Sequence, residues 1–356
     1  MKKRRSKPGR AFFEAAPAQD LFVQEQRQAK LLDYVGALAG IDELFDFGAM
    51  AAKLDEVCPA GDRSKGGRPG YTTEVLVRMV MLQGLYNLSD EQCEYQVLDR
   101  MSFQRFCRLD GALNVPDART LWRFKQRLAD KGLGGQTIFE EVGRELQRRG
   151  YIARGGQMVD ATIVQAPITR VTSQEREVIN QGEVPEGWSP KRVAHTDLDA
   201  RWTVKHGKSH YGYKLHTNAD AKYKLMRQIK VTPANADDGH QLKDVLDKHN
   251  TRALMLADRG YDSRANREIL DKNGLQDGIA RRAKPGQTAR QRLDQRNRTI
   301  STVRSRVEHV FAGLAQQGRK VVRAVTLARN TLALSIKCAM YNARRLVWLE
   351  RQEKLA

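Results

Sequence analysis

The segment QMVDATIV, residues 157–164, decides the fold because it separates two regions with different sequence patterns. It is an apolar run of strand length. Residues 20–150 before it carry apolar side chains at the spacing of helices. After it, residues 211–218 and 225–231 are two further short runs with strand character. We therefore predict a helical N-terminal domain that ends near residue 150 and an α/β domain behind it.

The α/β domain is predicted to contain a covered, mixed sheet. The apolar run 253–257 is bounded by turn signals and is typical of a strand buried on both faces. A helix is predicted over residues 239–249, and helical spacing returns beyond residue 286. The polar stretch 168–209 is too long for an ordinary connection, which makes it either a mobile loop or a functional insertion.

The chain is strongly basic. Its 62 Lys and Arg residues outnumber its 42 Asp and Glu residues, giving a formal charge of +20 and a pI of about 9.9. This balance favours a polyanionic partner, with nucleic acid as the first candidate and an anionic membrane as the second. Residues 281–330 alone contain 13 basic and two acidic residues. They form either a phosphate-binding surface or a solvated helix face.

Several other classes of protein are disfavoured. No apolar run reaches the roughly 20 residues that a membrane-spanning helix needs, so no membrane anchor is predicted. The basic start is not followed by the apolar core of a signal peptide, and we expect a cytoplasmic protein. The four cysteines are scattered, which predicts neither a zinc knuckle nor a disulfide framework. His206 and His210 have the spacing of a helical metal pair, but Gly207 argues against a helix there.

Three carboxylates are candidates for chemistry. Asp160 lies within the first predicted strand, where a charge is costly unless it is paired or binds a metal. Asp258 follows the buried strand, at the sheet edge where sites of such folds gather. Glu308 lies on a predicted amphipathic helix, one turn after Arg304. Each also has an ordinary explanation, namely a structural charge, a helix cap and an intrahelical ion pair, respectively.

Together the three carboxylates favour a metal site. Two strand-borne aspartates and one helix-borne glutamate can converge to hold two divalent ions about 3.5–4 Å apart, the arrangement used for in-line phosphoryl displacement. Oxygen ligands suit Mg²⁺, with Mn²⁺ as a substitute, and are a poor fit for zinc. We therefore predict a catalytic site with two Mg²⁺ ions held by Asp160, Asp258 and Glu308.

A set of short motifs carries a family resemblance over residues 60–345. They are GGRPG at 66–70, LSD at 88–90, DRMSF at 99–103, PD at 116–117, TL at 120–121, VDAT at 159–162, HYGYKLH at 210–216, ADRGY at 257–261 and residues 304–311. In these motifs the sequence resembles the DDE transposases of bacterial insertion sequences, specifically the branch named for insertion sequence five. The resemblance implies a ribonuclease-H-like mixed-sheet catalytic core behind an all-helical DNA-binding domain, with Asp160, Asp258 and Glu308 as the acidic triad.

Two positions depart from the pattern of that family. Related transposases often carry a tyrosine three residues before Arg304 and a lysine seven residues after Glu308, where this chain has Ser301 and Ala315. The spacing from Arg304 to Glu308 is retained. The phosphate contacts of the two other positions do not carry over.

The resemblance implies a transposase that binds terminal inverted repeats, hydrolyses a phosphodiester to expose a 3′-hydroxyl, and joins that hydroxyl to target DNA. Double-stranded DNA is then the partner, and the pairing of two ends implies a homodimer or larger assembly. One alternative is a metal-dependent nuclease of the same fold without strand transfer. Another is a DNA-binding repressor whose carboxylates are structural.

The domain boundaries follow from these expectations. Residues 1–60 are a basic tail and helices, a candidate dimerisation region, and residues 61–150 are the helical DNA-binding domain. Residues 151–325 are the catalytic domain, with the insertion at 168–209, and residues 326–356 are a C-terminal helix. The insertion contains five basic residues between Lys191 and Lys208, and we expect it to become ordered on DNA.

The expected DNA contacts are basic side chains near the triad and in the helical domain. Near the triad they are Arg281, Arg282, Lys284 and Arg304, together with Lys214 and His216 on a strand that can pair with the strand of Asp160. In the helical domain they are Arg68, for a minor groove, and Arg119 and Arg123, on a candidate recognition helix. Structural packing of His216 and a flexible linker around Arg68 are the alternatives.

Overall fold

The computed structural model describes Lys30 and residues 36–60, 70–151, 153, 155–250, 253–283, 290–318 and 320–355. The described residues from Ala37 onward belong to one compact unit. Arg68 and Lys284, two of the expected DNA contacts, lie outside the described residues. Within the described ranges, no helix is both long enough and apolar enough to cross a membrane.

A series of helices precedes the sheet, as the apolar spacing predicts. They are α1 (Ala37–Leu44), α2 (Phe47–Val57), α3 (Thr73–Tyr86), α4 (Asp90–Asp99), α5 (Met101–Phe106), α6 (Ala118–Asp130) and α7 (Gly134–Arg148). Thr72 caps the first turn of α3, Ser89 forms a capping box with Gln92, and Asp117 caps α6 through the backbone N–H of Thr120. These caps satisfy free backbone N–H groups at the starts of the three helices.

The second half of the chain contains a six-stranded mixed sheet. Its strands are β1 (Gln157–Gln165), β2 (Arg201–Lys205), β3 (Lys208–Asp220), β4 (Met226–Pro233), β5 (Leu254–Ala257) and β6 (Gln276–Ile279). The order is β2-β3-β1-β5-β6, and β4 also pairs with β3. β1 runs antiparallel to β3 and parallel to β5, and β5 runs parallel to β6. The structure thus confirms a mixed sheet behind a helical N-terminal region.

The predicted helix over residues 239–249 is shorter than expected. It consists of a 3₁₀ turn, Gly239–Gln241, followed by α10 (Leu242–Val245). Beyond it, the buried side chain of Gln157 holds the backbone: its amide oxygen accepts from the N–H of Asp247 and its amide nitrogen donates to the carbonyl of Asp247. These bonds from β1 replace the helical hydrogen bonds that would continue α10.

The segment between β1 and β2 is a folded insertion and not a mobile loop. It contains α8 (Ser173–Asn180) and α9 (Pro190–His195). Asp197, which is 1% exposed, accepts hydrogen bonds from the hydroxyl of Tyr213 at 2.7 Å and from the backbone N–H of Ala200 at 3.1 Å. These contacts anchor the insertion to β3, and its expected further ordering on DNA stays a prediction.

The last helices complete the unit. They are α11 (Arg264–Lys272), α12 (Arg290–Arg304), α13 (Val307–Gln316) and α14 (Leu327–Leu355). Helix α14 packs against α3, α6 and α7 on one side and against β4 on the other, so the two halves of the chain share one hydrophobic core. Asn342 of α14 is buried against β4. Its side-chain amide accepts from the backbone N–H of Met226 at 2.9 Å and donates to the carbonyl of Met226 at 2.8 Å. Asn342 thereby pairs backbone groups that β3 leaves free.

We expect Asn342→Ala to lower the free energy of unfolding by about 2–4 kcal/mol, because it leaves a buried N–H and a buried C=O of Met226 unpaired. Urea unfolding followed by circular dichroism measures this change. Asn114→Ala, at an exposed position, is the control and should stay within about 0.5 kcal/mol of the parent. Equal stabilities of the two variants would contradict the role of Asn342.

Candidate active site

Asp160 lies on β1, and Asp258 directly follows β5, the parallel strand beside it. Met158 of β1 pairs with Leu256 of β5, and two residues further along each strand come Asp160 and Asp258. The backbone of Asp258 is still extended, so the alternation of side chains continues to it. Both aspartates therefore belong to the sheet face of Met158 and Leu256, which the larger core cluster covers.

Glu308 reaches this face from helix α13. Buried Val307, Val310 and Phe311 seat the helix against the sheet, and α13 packs on β1. Glu308 lies in the first helical turn and is exposed. Its carboxylate acts on Asp160, since the charge of Glu308 contributes to the raised pKa of that residue.

Arg304 and Glu308 do not share a helix, so the alternative explanation of Glu308 as part of an intrahelical ion pair does not apply. Helix α12 ends at Arg304, a turn follows at residues 305 and 306, and α13 starts at Val307. The turn directs Arg304 to the sheet, where its Nη1 donates to Oδ2 of Asp160 at 2.5 Å. The arginine that the sequence suggests as a phosphate contact is thus the cationic partner of a triad aspartate.

The environment of Asp160 disfavours its charged form. The pKa of Asp160 is raised to about 6, with burial as the largest cause and the charges of Asp258 and Glu308 as smaller ones. The guanidinium of Arg304 and the backbone N–H of Ala161, which donates at 2.8 Å, act in the opposite direction. The negative charges of Asp258 and Glu308 therefore both disfavour ionisation of Asp160.

Asp258 caps the turn behind it, as the ordinary explanation predicted. Its Oδ1 accepts from the backbone N–H of Gly260 at 2.8 Å, at the start of the 3₁₀ turn Arg259–Tyr261. Gly260 suits this turn because a Cβ there would lie 2.9 Å from Oδ1 of Asp258. The cap uses one carboxylate oxygen, which leaves the second available to a ligand.

Comparison with known families assigns the chain. Residues 154–343, more than half of the chain, match the family model described as a transposase DDE domain. The chain belongs to the transposase DDE domain family. Residues 26–127 match a second model, described as a transposase domain (DUF772). No solved structure matches the chain significantly. The resemblance to DDE transposases is thus confirmed at the level of the family, and all three carboxylates lie within the matched region.

As a member of this family, the transposase is a DNA-cleaving enzyme, and such enzymes generally use divalent metal ions. Its donor set fits such an ion, because three carboxylates offer only oxygen ligands and their mutual repulsion calls for a cation. In the described part of the chain, however, no three acidic, histidine or cysteine side chains lie close enough together to hold a metal. At Asp160 the positive charge is supplied by Arg304 instead.

The structure does not bring Lys214 and His216 to the triad of the transposase. β3 pairs with β1 as expected, but Thr217 is the residue opposite Asp160, so Lys214 and His216 lie on the other face of the sheet. Lys214 pairs there with Asp238 at 2.9 Å. His216 is fully buried, its Nε2 lies 2.9 Å from the hydroxyl of Thr232, and burial lowers its pKa to about 4. Packing is therefore the interpretation of His216 that the structure favours.

The other expected DNA contacts of the transposase are accessible where they are described. Arg119 and Arg123 are exposed on the outer face of α6. Arg281 and Arg282 are exposed beyond β6, where Arg281 pairs with Asp277 at 3.0 Å. These positions permit DNA contact, which stays a prediction.

Lys320 is a further candidate functional residue, and sequence reasoning missed it. The backbone around it bridges to the end of β1: the N–H of Gln165 donates to the carbonyl of Lys320, and the N–H of Val322 donates to that of Gln165. Its Nζ lies 5.1 Å from the ring centroid of Phe311, one turn after Glu308. Burial lowers the pKa of Lys320, whereas Glu308 and Asp160 raise it. No local sequence pattern links Lys320 to Glu308, twelve residues earlier. Lys320 comes near the end of β1 only because of the backbone bridge.

We expect Asp160→Asn to stabilise the metal-free transposase by about 2 kcal/mol at pH 7.5, because the folded-state pKa of about 6 lies above the usual 3.8. Because its carboxyl pKa is raised, the folded state takes up a proton at a higher pH than the unfolded state does. The penalty in the parent is therefore full above pH 6 and fades towards pH 4, and the advantage of the variant fades with it. Urea unfolding at pH 7.5 and pH 5 measures the full advantage of the variant and its partial loss.

Asp110→Asn, at an exposed position, is the matched control and should change stability little at either pH. A destabilised Asp160→Asn protein at pH 7.5 would show that the ion pair with Arg304 outweighs the cost of burying the charge.

Proposed function

We propose that the chain is the transposase of a bacterial insertion sequence, of the branch named for insertion sequence five. It binds the terminal inverted repeats, cleaves the ends by phosphodiester hydrolysis and joins the 3′-hydroxyl ends to target DNA. The observation that carries the proposal is the placement of Asp160 and Asp258 at corresponding positions of two neighbouring parallel strands, with the charges of Asp258 and Glu308 both acting on Asp160. This arrangement supports a ribonuclease-H-like catalytic core.

In this proposal Asp160, Asp258 and Glu308 hold two Mg²⁺ ions, for which Mn²⁺ can substitute. The bound ions would lower the pKa of the attacking water or hydroxyl and offset the charge that develops on the leaving oxygen. The residues of the chain prepare the site: β1 and β5 fix the two aspartates, and α13 brings in Glu308. Arg304 neutralises Asp160 until a cation takes over, and can then turn to a DNA phosphate.

DNA binding is assigned to both halves of the chain. Exposed Arg119 and Arg123 on α6 support the assignment of this helix to the terminal repeats, and Arg281 and Arg282 support a phosphate path beside the triad. Arg68 and Lys284 extend the two sets. Because two ends must be held together for transposition, the active species is proposed to be a homodimer or a larger assembly.

The decisive experiment is Mg²⁺-dependent cleavage of a supercoiled plasmid that carries the native element. We expect Asp160→Asn, Asp258→Asn and Glu308→Gln to bind DNA like the parent but to lose cleavage and joining by at least about 100-fold. Glu268→Gln, an exposed carboxylate on α11, is the control and should cut normally.

Two outcomes separate the rivals. Cleavage without covalently joined products would indicate a nuclease, whereas repeat binding with no nicking in Mg²⁺ or Mn²⁺ would indicate a repressor. Normal cleavage by any of the three triad variants would overturn the assignment of that residue.

Lys320 is proposed to contact a phosphate next to the scissile bond, because its ammonium group is only partly buried and lies within the electrostatic influence of Glu308 and Asp160. We expect Lys320→Ala to reduce cleavage by about 10-fold or more and Lys320→Arg to restore part of it. Lys272→Ala, an exposed lysine of α11, is the control. Plasmid cleavage at saturating DNA measures the effect, and equal rates for the two alanine variants would exclude the role of Lys320.

A further inference from the structure

Helix α12 holds the backbone of β6, the outer strand of the sheet, and of the residues that follow it. Arg296 donates from Nη1 to the carbonyl of Ile279 at 2.8 Å and from Nη2 to that of Asp277 at 2.9 Å. The next residue of the helix, Asn297, is 6% exposed. Its Oδ1 accepts from the N–H of Arg281 and its Nδ2 donates to the carbonyl of Arg281, both at 3.0 Å. Arg281 is thus held by its backbone, whatever its side chain does.

Arg282 is held from the other side, by the turn that follows Asp258. Asp262 ends this turn, and its Oδ2 accepts from the backbone N–H of Arg282 at 3.0 Å. The other oxygen of Asp262 pairs with Arg267 of α11, which offsets the charge of the carboxylate. Residues 281 and 282 are therefore fixed between α12 and the turn of Asp258.

The alternation of β6 brings one of its faces to the triad. The N–H of Ala280 donates to the carbonyl of Ala257 at 3.0 Å, so the ladder with β5 continues beyond the last residue of β6 and places Ala280 beside Asp258. Ala280 packs in the core cluster of Leu256, on the triad face, whereas Ile279 packs in the cluster of the opposite face. Odd and even positions of this segment therefore point to different faces.

Arg281 and Arg282 differ in what their side chains can reach. The guanidinium of Arg281 pairs with Asp277 at 3.0 Å, an even number of residues away and so on the face opposite the triad. Arg282 lies two residues beyond Ala280, where the alternation returns to the triad face. Its side chain is exposed, and no carboxylate of the described residues pairs with its guanidinium.

The spacing between Arg282 and the triad matches a short stretch of DNA. Two residues of strand cover about 7 Å, which is how far Arg282 lies beyond the level of Asp258. A DNA strand carries one phosphate per about 3.4 Å of helix axis, so about two phosphates span this distance. Helix α12 fixes the same spacing, because Asn297 and Arg304 are seven residues apart and share a face of the helix. Asn297 holds the backbone of Arg281, and Arg304 holds Asp160.

We propose that Arg282 binds a phosphate of the cleaved DNA strand within about three nucleotides of the cut, and that Asn297 and Asp262 are positioning residues that hold it there. The proposal rests on the proposed function, in which residues 281 and 282 line a phosphate path. It adds that Arg282 makes the fixed contact, since Arg281 is directed to Asp277.

The test uses the full chain and a labelled duplex that carries one end of the native element, with the dissociation constant measured by fluorescence anisotropy in metal-free buffer. A single methylphosphonate, which removes the charge of one phosphate, is placed at each position of the end in turn. At one position within about three nucleotides of the cut, it should weaken binding of the parent about 10-fold and binding of Arg282→Ala less than about 2-fold. Arg281→Ala should keep the sensitivity of the parent at that phosphate.

The salt dependence gives a second readout at an exposed side chain, where folding is not at risk. Arg282→Ala should reduce the slope of log affinity against log salt by about 0.9, the value for one phosphate contact on duplex DNA. Arg148→Ala is the matched control, because Arg148 is an exposed arginine at the end of α7 that pairs with Glu145 of its own helix. An unchanged slope for Arg282→Ala, or equal methylphosphonate sensitivity of Arg282→Ala and the parent, overturns the contact.

The positioning role is tested by coupling. Asn297→Ala should lose the methylphosphonate sensitivity of the parent, and the double variant with Arg282→Ala should bind no more weakly than Arg282→Ala alone. Asp262→Asn, which keeps an acceptor oxygen for the N–H of Arg282, should retain more of the sensitivity than Asp262→Ala does. Additive losses, or full sensitivity in Asn297→Ala, would assign Asn297 to stability alone and overturn its positioning role.

Catalysis is a separate result. If the triad variants cut normally while the sensitivity still depends on Arg282, the catalytic assignment fails and the phosphate contact stands. If the triad variants fail to cut and Arg282→Ala keeps the sensitivity of the parent, the proposed function stands and the contact is overturned.

Discussion

The register of β1 is the constraint on which the site depends. β1 pairs with β3 over its whole length and with β5 at its start, so its position is fixed from both sides. A slip of one residue would move Asp160 to the opposite face and bury Ala161 or Val159 in its place. The same pairing sets the neighbours of the other elements, since Gln157 holds the chain after α10 and Gln165 holds the segment of Lys320. One strand thereby places an aspartate, a buried turn and a lysine.

The site is arranged around a charge that the fold does not stabilise by itself. Asp160 is partly buried, repelled by Asp258 and Glu308, and neutralised by Arg304. An arginine at the end of one helix, just before a turn, can exchange partners with little change elsewhere, whereas the aspartates on the strands cannot move. Hence the fixed part of the site is the negative charge and the adjustable part is the cation. The proposed binding of metal ions and phosphate would use this division between fixed and adjustable charges.

Much of this arrangement follows from local sequence patterns. Sequence patterns can predict the helix starts at Thr72, Ser89 and Asp117, the four main strands and the mixed sheet. They can do so because helix caps and apolar periodicity involve residues only a few positions apart. The resemblance to DDE transposases adds the three carboxylates, which no single motif could assign.

What sequence reasoning missed depends on contacts between distant residues. The turn at residues 305 and 306 separates Arg304 from Glu308, although the apolar spacing continues across it. The face of Lys214 and His216 depends on which residue of β3 meets Asp160, and this is a matter of register and not of composition. Lys320 reaches the site only through its bridge to β1, and the insertion looks like a polar loop because its order comes from the buried Asp197.

The long helix α14 connects α6, the proposed recognition helix, to the sheet that carries the candidate active site. It packs against β4 through Asn342 and against α6 near its own start, where Nε of Arg329 donates to Gln126 at 2.7 Å and its guanidinium lies 5.6 Å from the ring centroid of Trp122. These contacts fix the exposed face of α6 relative to the sheet, with one core between them. If α6 reads the ends of the element, the distance from the recognised bases to the triad is set by a rigid body and not by a linker. The position of the cut relative to the recognised sequence is then a property of the fold.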